Sequence, residues 1–61
     1  MTKYMLVMMD SEGQQEAHFT NEYRKAKEMQ MEAAGAMGLY VEIYMRELDA
    51  EGLEQYMLLE A

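Results

Sequence analysis

Apolar residues along this 61-residue chain fall into four short runs, two on each side of a segment rich in Ala, Glu, Lys and Met. The central segment, residues 21–37, contains no proline and consists of residue types that favour a helix. Thr20 or Asn21 is placed to cap its start. Gly38 is placed to end it, because glycine readily adopts the left-handed conformation found after helices. The four runs have the length of strands, so the predicted order of elements is ββαββ.

Two nearly identical tetrapeptides separate the runs within each pair: residues 10–13 (DSEG) and residues 49–52 (DAEG). Asp, two variable residues and Gly are typical of a type I turn closed by a glycine with positive φ, which gives a three-residue hairpin loop with a bulge. The Asp side chain accepts hydrogen bonds from the turn backbone. Each tetrapeptide therefore predicts a hairpin, formed by residues 3–10 with 14–19 and by residues 39–49 with 53–60.

The loop length also predicts the register, because cross-strand partners in a hairpin share a face of the sheet. The expected pairs are Met9–Gln15, Val7–Ala17, Met5–Phe19, Met45–Met57 and Ile43–Leu59. We expect the helix, with the small residues Ala26 and Ala33 towards the sheet, to cover the more apolar sheet face. The predicted core on that face is Met5, Val7, Met9, Ala17, Phe19, Val41, Ile43, Met45, Met57 and Leu59.

The length and order of elements resemble the immunoglobulin-binding domains of streptococcal protein G, in which two hairpins flank one helix. The opening residues 1–7 (MTKYMLV) look similar as well. The resemblance covers the whole chain as topology but includes no functional motif, so it implies a fold and not antibody binding. It implies one α+β domain over residues 1–61, with strand order 2-1-4-3, parallel terminal strands at the centre, and the helix on one face.

One helix covers one face of a sheet, so the other face is expected to be open. That face has an apolar centre and a polar rim, which is typical of a recognition surface, and Tyr and Arg are enriched at binding hot spots. We predict a partner or oligomer interface there, made of Tyr4, Leu6, Met8, His18, Tyr40, Tyr44, Arg46, Tyr56 and Leu58. The alternative is incidental exposure of a few apolar side chains, as small sheets often show.

The chain carries 12 acidic and five basic residues, a net charge of −7. This balance argues against direct binding to nucleic acid or an anionic membrane. The last fifteen residues contain an acidic patch and no base: Glu47, Asp49, Glu51, Glu54 and Glu60. We expect this patch to steer the protein towards a basic partner. The alternatives are mimicry of nucleic-acid phosphate and simple solubility.

Catalytic and cofactor motifs are not recognisable, and we predict a protein without enzymatic activity, cofactor or metal site. His18 is the only histidine, and no serine or threonine is placed opposite it as a nucleophile. Glu42 and Glu60 are expected to face each other on the open face, where no concavity would form a pocket. Nine methionines suggest copper(I), but most fall on predicted core positions, where Met is adaptable filler.

Location is inferred from what the chain lacks. No apolar run approaches the roughly 20 residues of a transmembrane helix, and the absence of cysteine fits a reducing compartment. We therefore expect a cytoplasmic protein.

Small size, acidity and lack of catalytic groups predict a non-enzymatic module that acts by occupying a partner protein's surface. These features are similar in style to small early proteins of bacteriophages, and that resemblance implies a viral inhibitor of a host nucleic-acid-handling or defence protein. A second hypothesis is a structural homo-oligomer, in the simplest case a homodimer, assembled through the open face, because so small a core is marginal alone. A third, a small-molecule or metal binder, would show as thermal stabilisation on ligand addition.

Overall fold

The computed structural model describes residues 3–61, which form a four-stranded antiparallel sheet with one helix packed against it. The elements are β1 (Tyr4–Met9), β2 (Gln15–Thr20), α1 (Tyr23–Ala36), β3 (Tyr40–Leu48) and β4 (Glu54–Glu60). The predicted α+β class and the order ββαββ are confirmed. The helix begins two residues later than expected and ends one residue earlier.

Both hairpin loops have the predicted geometry. Gly13 has a φ of 85°, and its N–H donates to the Asp10 carbonyl over 3.1 Å. The Oδ1 atom of Asp10 accepts hydrogen bonds from the backbone N–H groups of Glu12 and Gln14, each at 2.9 Å. In the second loop, the Oδ1 atom of Asp49 accepts two backbone N–H groups at the same distance. The repeated tetrapeptide is therefore a repeated turn.

The helix ends follow local chemistry only in part. Gly38, with a φ of 66°, ends the helix as expected. The N-cap position is Glu22, without a side-chain cap, and not Thr20 or Asn21. Those two side chains are engaged next to the cap: Thr20 Oγ1 accepts the Glu22 N–H at 3.4 Å, and Asn21 Oδ1 accepts the Lys3 N–H at 3.2 Å. Asn21 thereby ties the helix entry to the beginning of β1.

The order of the strands is β2-β1-β3-β4, and every neighbouring pair is antiparallel. It differs from the expected 2-1-4-3, which had β1 beside β4 in parallel; here β1 lies beside β3. The physical reason is strand composition. β3 contains the β-branched residues Val41 and Ile43, which pack well in a covered, central strand, whereas β4 contains no β-branched residue. As a consequence, β4 is an edge strand.

On β1 and β2 the helix covers the face that was expected to be open, and it leaves uncovered the face that was expected to form the core. Leu6 pairs with Ile43 and Met8 with Val41, so burial of the two β3 residues under α1 also buries Leu6 and Met8. Val41 and Ile43 were correctly assigned to the core. The apolar sequence of β1 could not decide between its two faces. Among residues 3–61 the buried core is Leu6, Met8, Ala26, Ala33, Val41 and Ile43, bordered by Tyr4, Met29 and Leu39.

The remaining predicted core residues lie elsewhere. Five of them are on the uncovered sheet face: Met5, Val7, Met9, Ala17 and Phe19. Met45 lies on the helix side of the sheet and is half-buried, and its partner Met57 is 49% exposed. The helix packs over β1, β2 and β3, so the apolar side chains of β4 have no helix above them.

A β-bulge interrupts the pairing of β3 with β4. Ile43 pairs with Glu60, but the adjacent Tyr44 pairs with Leu58, so Leu59 has no partner in β3. The extra residue places Leu58 and Glu60 on opposite faces of the sheet, although they are two residues apart. The expected pairs Ile43–Leu59 and Glu42–Glu60 are therefore not formed. The other expected pairs of both hairpins are confirmed.

Candidate protein-binding face

One row of apolar side chains crosses all four strands on the face that the helix leaves uncovered. Phe19 of β2 pairs with Met5 of β1, Met5 pairs with Tyr44 of β3, and Tyr44 pairs with Leu58 of β4. Cross-strand partners share a face, so the four side chains stand side by side. The end members, Phe19 and Leu58, are 51% and 52% exposed. We call these four residues the apolar row.

Further side chains surround the apolar row on the same face. Val7 pairs with Ala17 and Glu42 on one side of the row, and Arg46 pairs with Tyr56 on the other. We call the whole surface the open face; it comprises Met5, Val7, Met9, Gln15, Ala17, Phe19, Tyr40, Glu42, Tyr44, Arg46, Leu48, Glu54, Tyr56 and Leu58. An antiparallel sheet that faces water normally carries polar side chains there. This face is apolar at its centre.

The open face carries one compensated ion pair, and one carboxylate, Glu42, lies beside the apolar row without an ion pair among residues 3–61. Arg46 forms an ion pair with Glu54, and its side chain is only 20% exposed. Burial and the nearby Glu42 carboxylate raise the pKa of Tyr44 above its ordinary value, so its hydroxyl remains a neutral hydrogen-bond donor at physiological pH. The centre of the face therefore offers apolar contact with a hydroxyl group within it, which suits protein recognition.

The predicted interface divides between the two faces of the sheet. Five of its residues are brought together on the open face: Tyr40, Tyr44, Arg46, Tyr56 and Leu58. The other four lie on the helix side: Tyr4, Leu6, Met8 and His18. Sequence reasoning missed Met5, Val7, Met9 and Phe19. The signal that could have placed them is the β-branched pair in β3, which belongs under the helix and thereby sets the faces of its neighbours.

Four residues of the acidic patch lie at the loop end of the second hairpin, and the fifth, Glu60, is separated from them. Asp49 is held by its turn, and its Oδ2 atom also accepts Gln55 Nε2 at 3.3 Å. Glu54 is paired with Arg46, and Glu60 lies at the far end of β4. Within residues 3–61, Glu47 and Glu51 make no ion pair. The five carboxylates therefore do not form one continuous array.

Glu60 links the edge strand to the helix. Its Oε2 atom lies 2.5 Å from Lys27 Nζ, and the hydroxyl of Tyr23 donates a hydrogen bond to the same carboxylate. Hydrogen bonding from Lys27, and then from Tyr23, lowers the pKa of Glu60. The same bond raises the pKa of Lys27, so both partners favour the charged state. This contact is structural and lies on the helix side of the sheet.

A shallow groove of about 230 Å³ lies between α1 and β2. Its lining is largely apolar and comprises Met8, Glu16, His18, Met29, Glu32, Ala33, Met37 and Leu39. His18 Nε2 lies 3.3 Å from Glu16 Oε2, and both side chains are exposed. Across residues 3–61, no group of three or more His, Cys, Asp or Glu side chains is arranged to hold a metal ion.

No protein-family model matches this chain, and no curated protein or solved structure is significantly similar to it. The one helix of the described part of the chain is too short to cross a membrane.

Proposed function

We propose that this protein is a non-enzymatic protein-binding module whose open face occupies the surface of a partner. The observation that carries the proposal is the apolar row, Phe19–Met5–Tyr44–Leu58, which crosses the sheet without a covering layer. Contiguous exposed apolar surface is uncommon on soluble monomers and marks interaction sites. Two of the four residues, Phe19 and Tyr44, are aromatic, and aromatic side chains are enriched at protein interfaces.

The ratio of buried to exposed apolar residues supports the same proposal. Six apolar residues are buried, whereas eleven large apolar side chains among residues 3–61 are exposed. A small core contributes little net stability. Coverage of the open face by a partner would remove apolar area from water and so stabilise the fold.

The charge of the chain suggests the chemistry of the partner. A net charge of −7 favours association with a basic surface and accelerates the encounter. The more specific form of the proposal is occlusion of a basic, nucleic-acid-handling or defence protein, in the manner of a phage-type inhibitor. Phosphate mimicry is the weaker mechanism, because Asp49, Glu54 and Glu60 are engaged within the protein.

A matched pair of variants tests the proposal. Phe19→Gln removes an apolar side chain from the open face, and Met31→Gln removes one that is 69% exposed on the helix. Proteins captured by the immobilised wild type are purified and titrated against all three forms. We expect Phe19→Gln to weaken binding by about 30-fold, the effect of a 2 kcal/mol hot spot, and Met31→Gln to leave it unchanged. Equal binding by all three forms, or a wild type without partners, contradicts the proposal.

The second candidate function is structural self-assembly, in which the open faces of two copies stack on each other. The same apolar row favours it, and no separate ligand is then required. Sedimentation of the wild type and Phe19→Gln distinguishes the two candidates, because stacked faces dissociate in this variant in the absence of any other protein.

A further inference from the structure

We propose that two copies of this chain join edge to edge along β4, antiparallel, about a twofold axis near Met57. The two sheets become one sheet of eight strands, and the two open faces become one continuous face. This interface is formed by the backbone edge of β4 and includes only Tyr56 and Leu58 of the open face, so it can form whether or not the rest of the open face binds a partner.

Lys, Pro and a covering element, which normally prevent strand addition, are all missing from the β4 edge. An edge strand presents unpaired N–H and C=O groups, and natural proteins protect such edges with Lys, Pro, bulges, short length or a covering element. The bulge of β4 lies at Leu59, beyond the residues 56–58 that would pair. β4 has seven residues (EQYMLLE), with no Lys or Pro, and α1 does not cover it. The opposite edge, β2, is more polar, with the sequence QEAHFT.

The side chains of this edge are apolar on both faces of the sheet. Tyr56 and Leu58 lie on the open face, Met57 lies on the helix side, and Leu59 is at the bulge; all four are exposed.

The hydrogen-bonding pattern of β4 is self-complementary. The Asp49 N–H donates to the Leu53 carbonyl at 2.9 Å, so alternation along the ladder directs the backbone groups of Met57 towards β3. Those of Tyr56 and Leu58 point outwards. About a twofold axis at Met57, Tyr56 of each copy meets Leu58 of the other through these outward groups. Met57 then faces its own counterpart, as an interface with twofold symmetry requires.

Charge permits self-association at this edge although the chain as a whole is acidic. The residues between Glu54 and Glu60 are uncharged. Glu54 is compensated by Arg46 and Glu60 by Lys27 within each copy. In the proposed register Glu54 is opposite Glu60 of the second copy, but the bulge places these two carboxylates on opposite faces of the sheet. Like charges therefore do not meet.

The symmetry makes single-cysteine crosslinking a direct test. The chain has no cysteine, so Met57→Cys carries one thiol, which lies opposite its counterpart in a non-hydrogen-bonded pair with a Cα–Cα separation of about 4.5 Å, within disulfide range. Ala17→Cys on the β2 edge and Met31→Cys on the helix are exposed controls. Under mild oxidation we expect Met57→Cys to form the disulfide-linked dimer and both controls to remain mainly monomeric.

Sedimentation provides a second, independent readout. We expect the wild type to approach twice 7.1 kDa with rising concentration. Met57→Lys, which places a charge at the twofold axis, should raise the dimer dissociation constant at least tenfold, and Met31→Lys should not change it. A monomeric wild type at high concentration overturns the proposal. So does a dimer that Phe19→Gln dissociates and Met57→Lys does not, because that dimer is assembled through the open face.

Discussion

Lys27 Nζ of α1 lies 2.5 Å from Glu60 Oε2 of β4, and this ion pair joins the helix to the outermost strand of the sheet. The contact exists because the bulge at Leu59 turns Glu60 to the helix side. Without the extra residue, Glu60 would share the open face with Leu58. A single inserted residue thus determines both which side chains complete the open face and how the edge strand is attached.

Glu60→Gln is expected to destabilise the protein modestly at neutral pH, because it removes the charge partner of Lys27. The pKa of Glu60 is lowered from its ordinary value of 4.5 in the folded state, so its contribution is present above that pH and is lost as the pH falls through the lowered value. The pKa of Lys27 is raised from 10.5, so the contribution also disappears as the pH rises beyond that raised value. Urea unfolding at several pH values measures this.

The control for Glu60→Gln is Glu51→Gln, which neutralises an exposed loop carboxylate without an ion pair among residues 3–61. Its stability should track the wild type at every pH. If the wild type and Glu60→Gln differ by the same amount in strong acid as at neutral pH, the ion pair does not stabilise the fold.

The same substitution at two glycines is expected to have opposite effects. Gly52→Ala places a side chain at a φ of 81°, which costs about 1–2 kcal/mol. Gly35→Ala, in the helix and with open space around the new Cβ atom, should stabilise by about 0.5–1 kcal/mol. Thermal or urea unfolding measures both. Destabilisation by Gly35→Ala would contradict the helical assignment at this position.

Leu6→Ala tests which face of β1 is buried. Leu6 is fully buried beneath the helix, so its truncation should cost about 2–5 kcal/mol. Leu53→Ala makes the same change at a side chain that is 60% exposed and should alter stability by about 0.5 kcal/mol or less. Comparable losses for the two variants would mean that the helix does not cover this face of the sheet.

The turn aspartates provide a further test. Asp10→Ala leaves the N–H groups of Glu12 and Gln14 without their side-chain acceptor and should cost about 1 kcal/mol. Asp10→Asn retains an oxygen in the same position and should restore most of the loss. Urea unfolding of the three proteins distinguishes the acceptor from the charge: a similar loss in both variants would assign the effect to the charge.

The elements that depend on near neighbours in the chain could be predicted from the sequence. Asp and Gly at each end of DSEG and DAEG specify the turn through backbone hydrogen bonds and a positive φ, both of which are local. The turn also fixes the pairing of Met9 with Gln15, because each of these residues lies three positions from the centre of the loop. The helix also follows from residue type and from the position of Gly38.

The relationships that depend on distant segments were decided by the tertiary structure. Whether β3 or β4 lies beside β1 depends on which strand gains more free energy from burial under the helix. Burial of Val41 and Ile43 favours β3. That choice fixes which face of β1 is covered. Phe19 and Met5 therefore lie on the open face, and the helix side carries Tyr4, Leu6, Met8 and His18. The bulge at Leu59 is equally invisible in the sequence, because its benefit, the contact of Glu60 with Lys27, is made with a residue 33 positions away. Local hydrogen bonds and backbone preferences therefore determined the parts of this protein, and competition for burial among distant strands determined which surface those parts present.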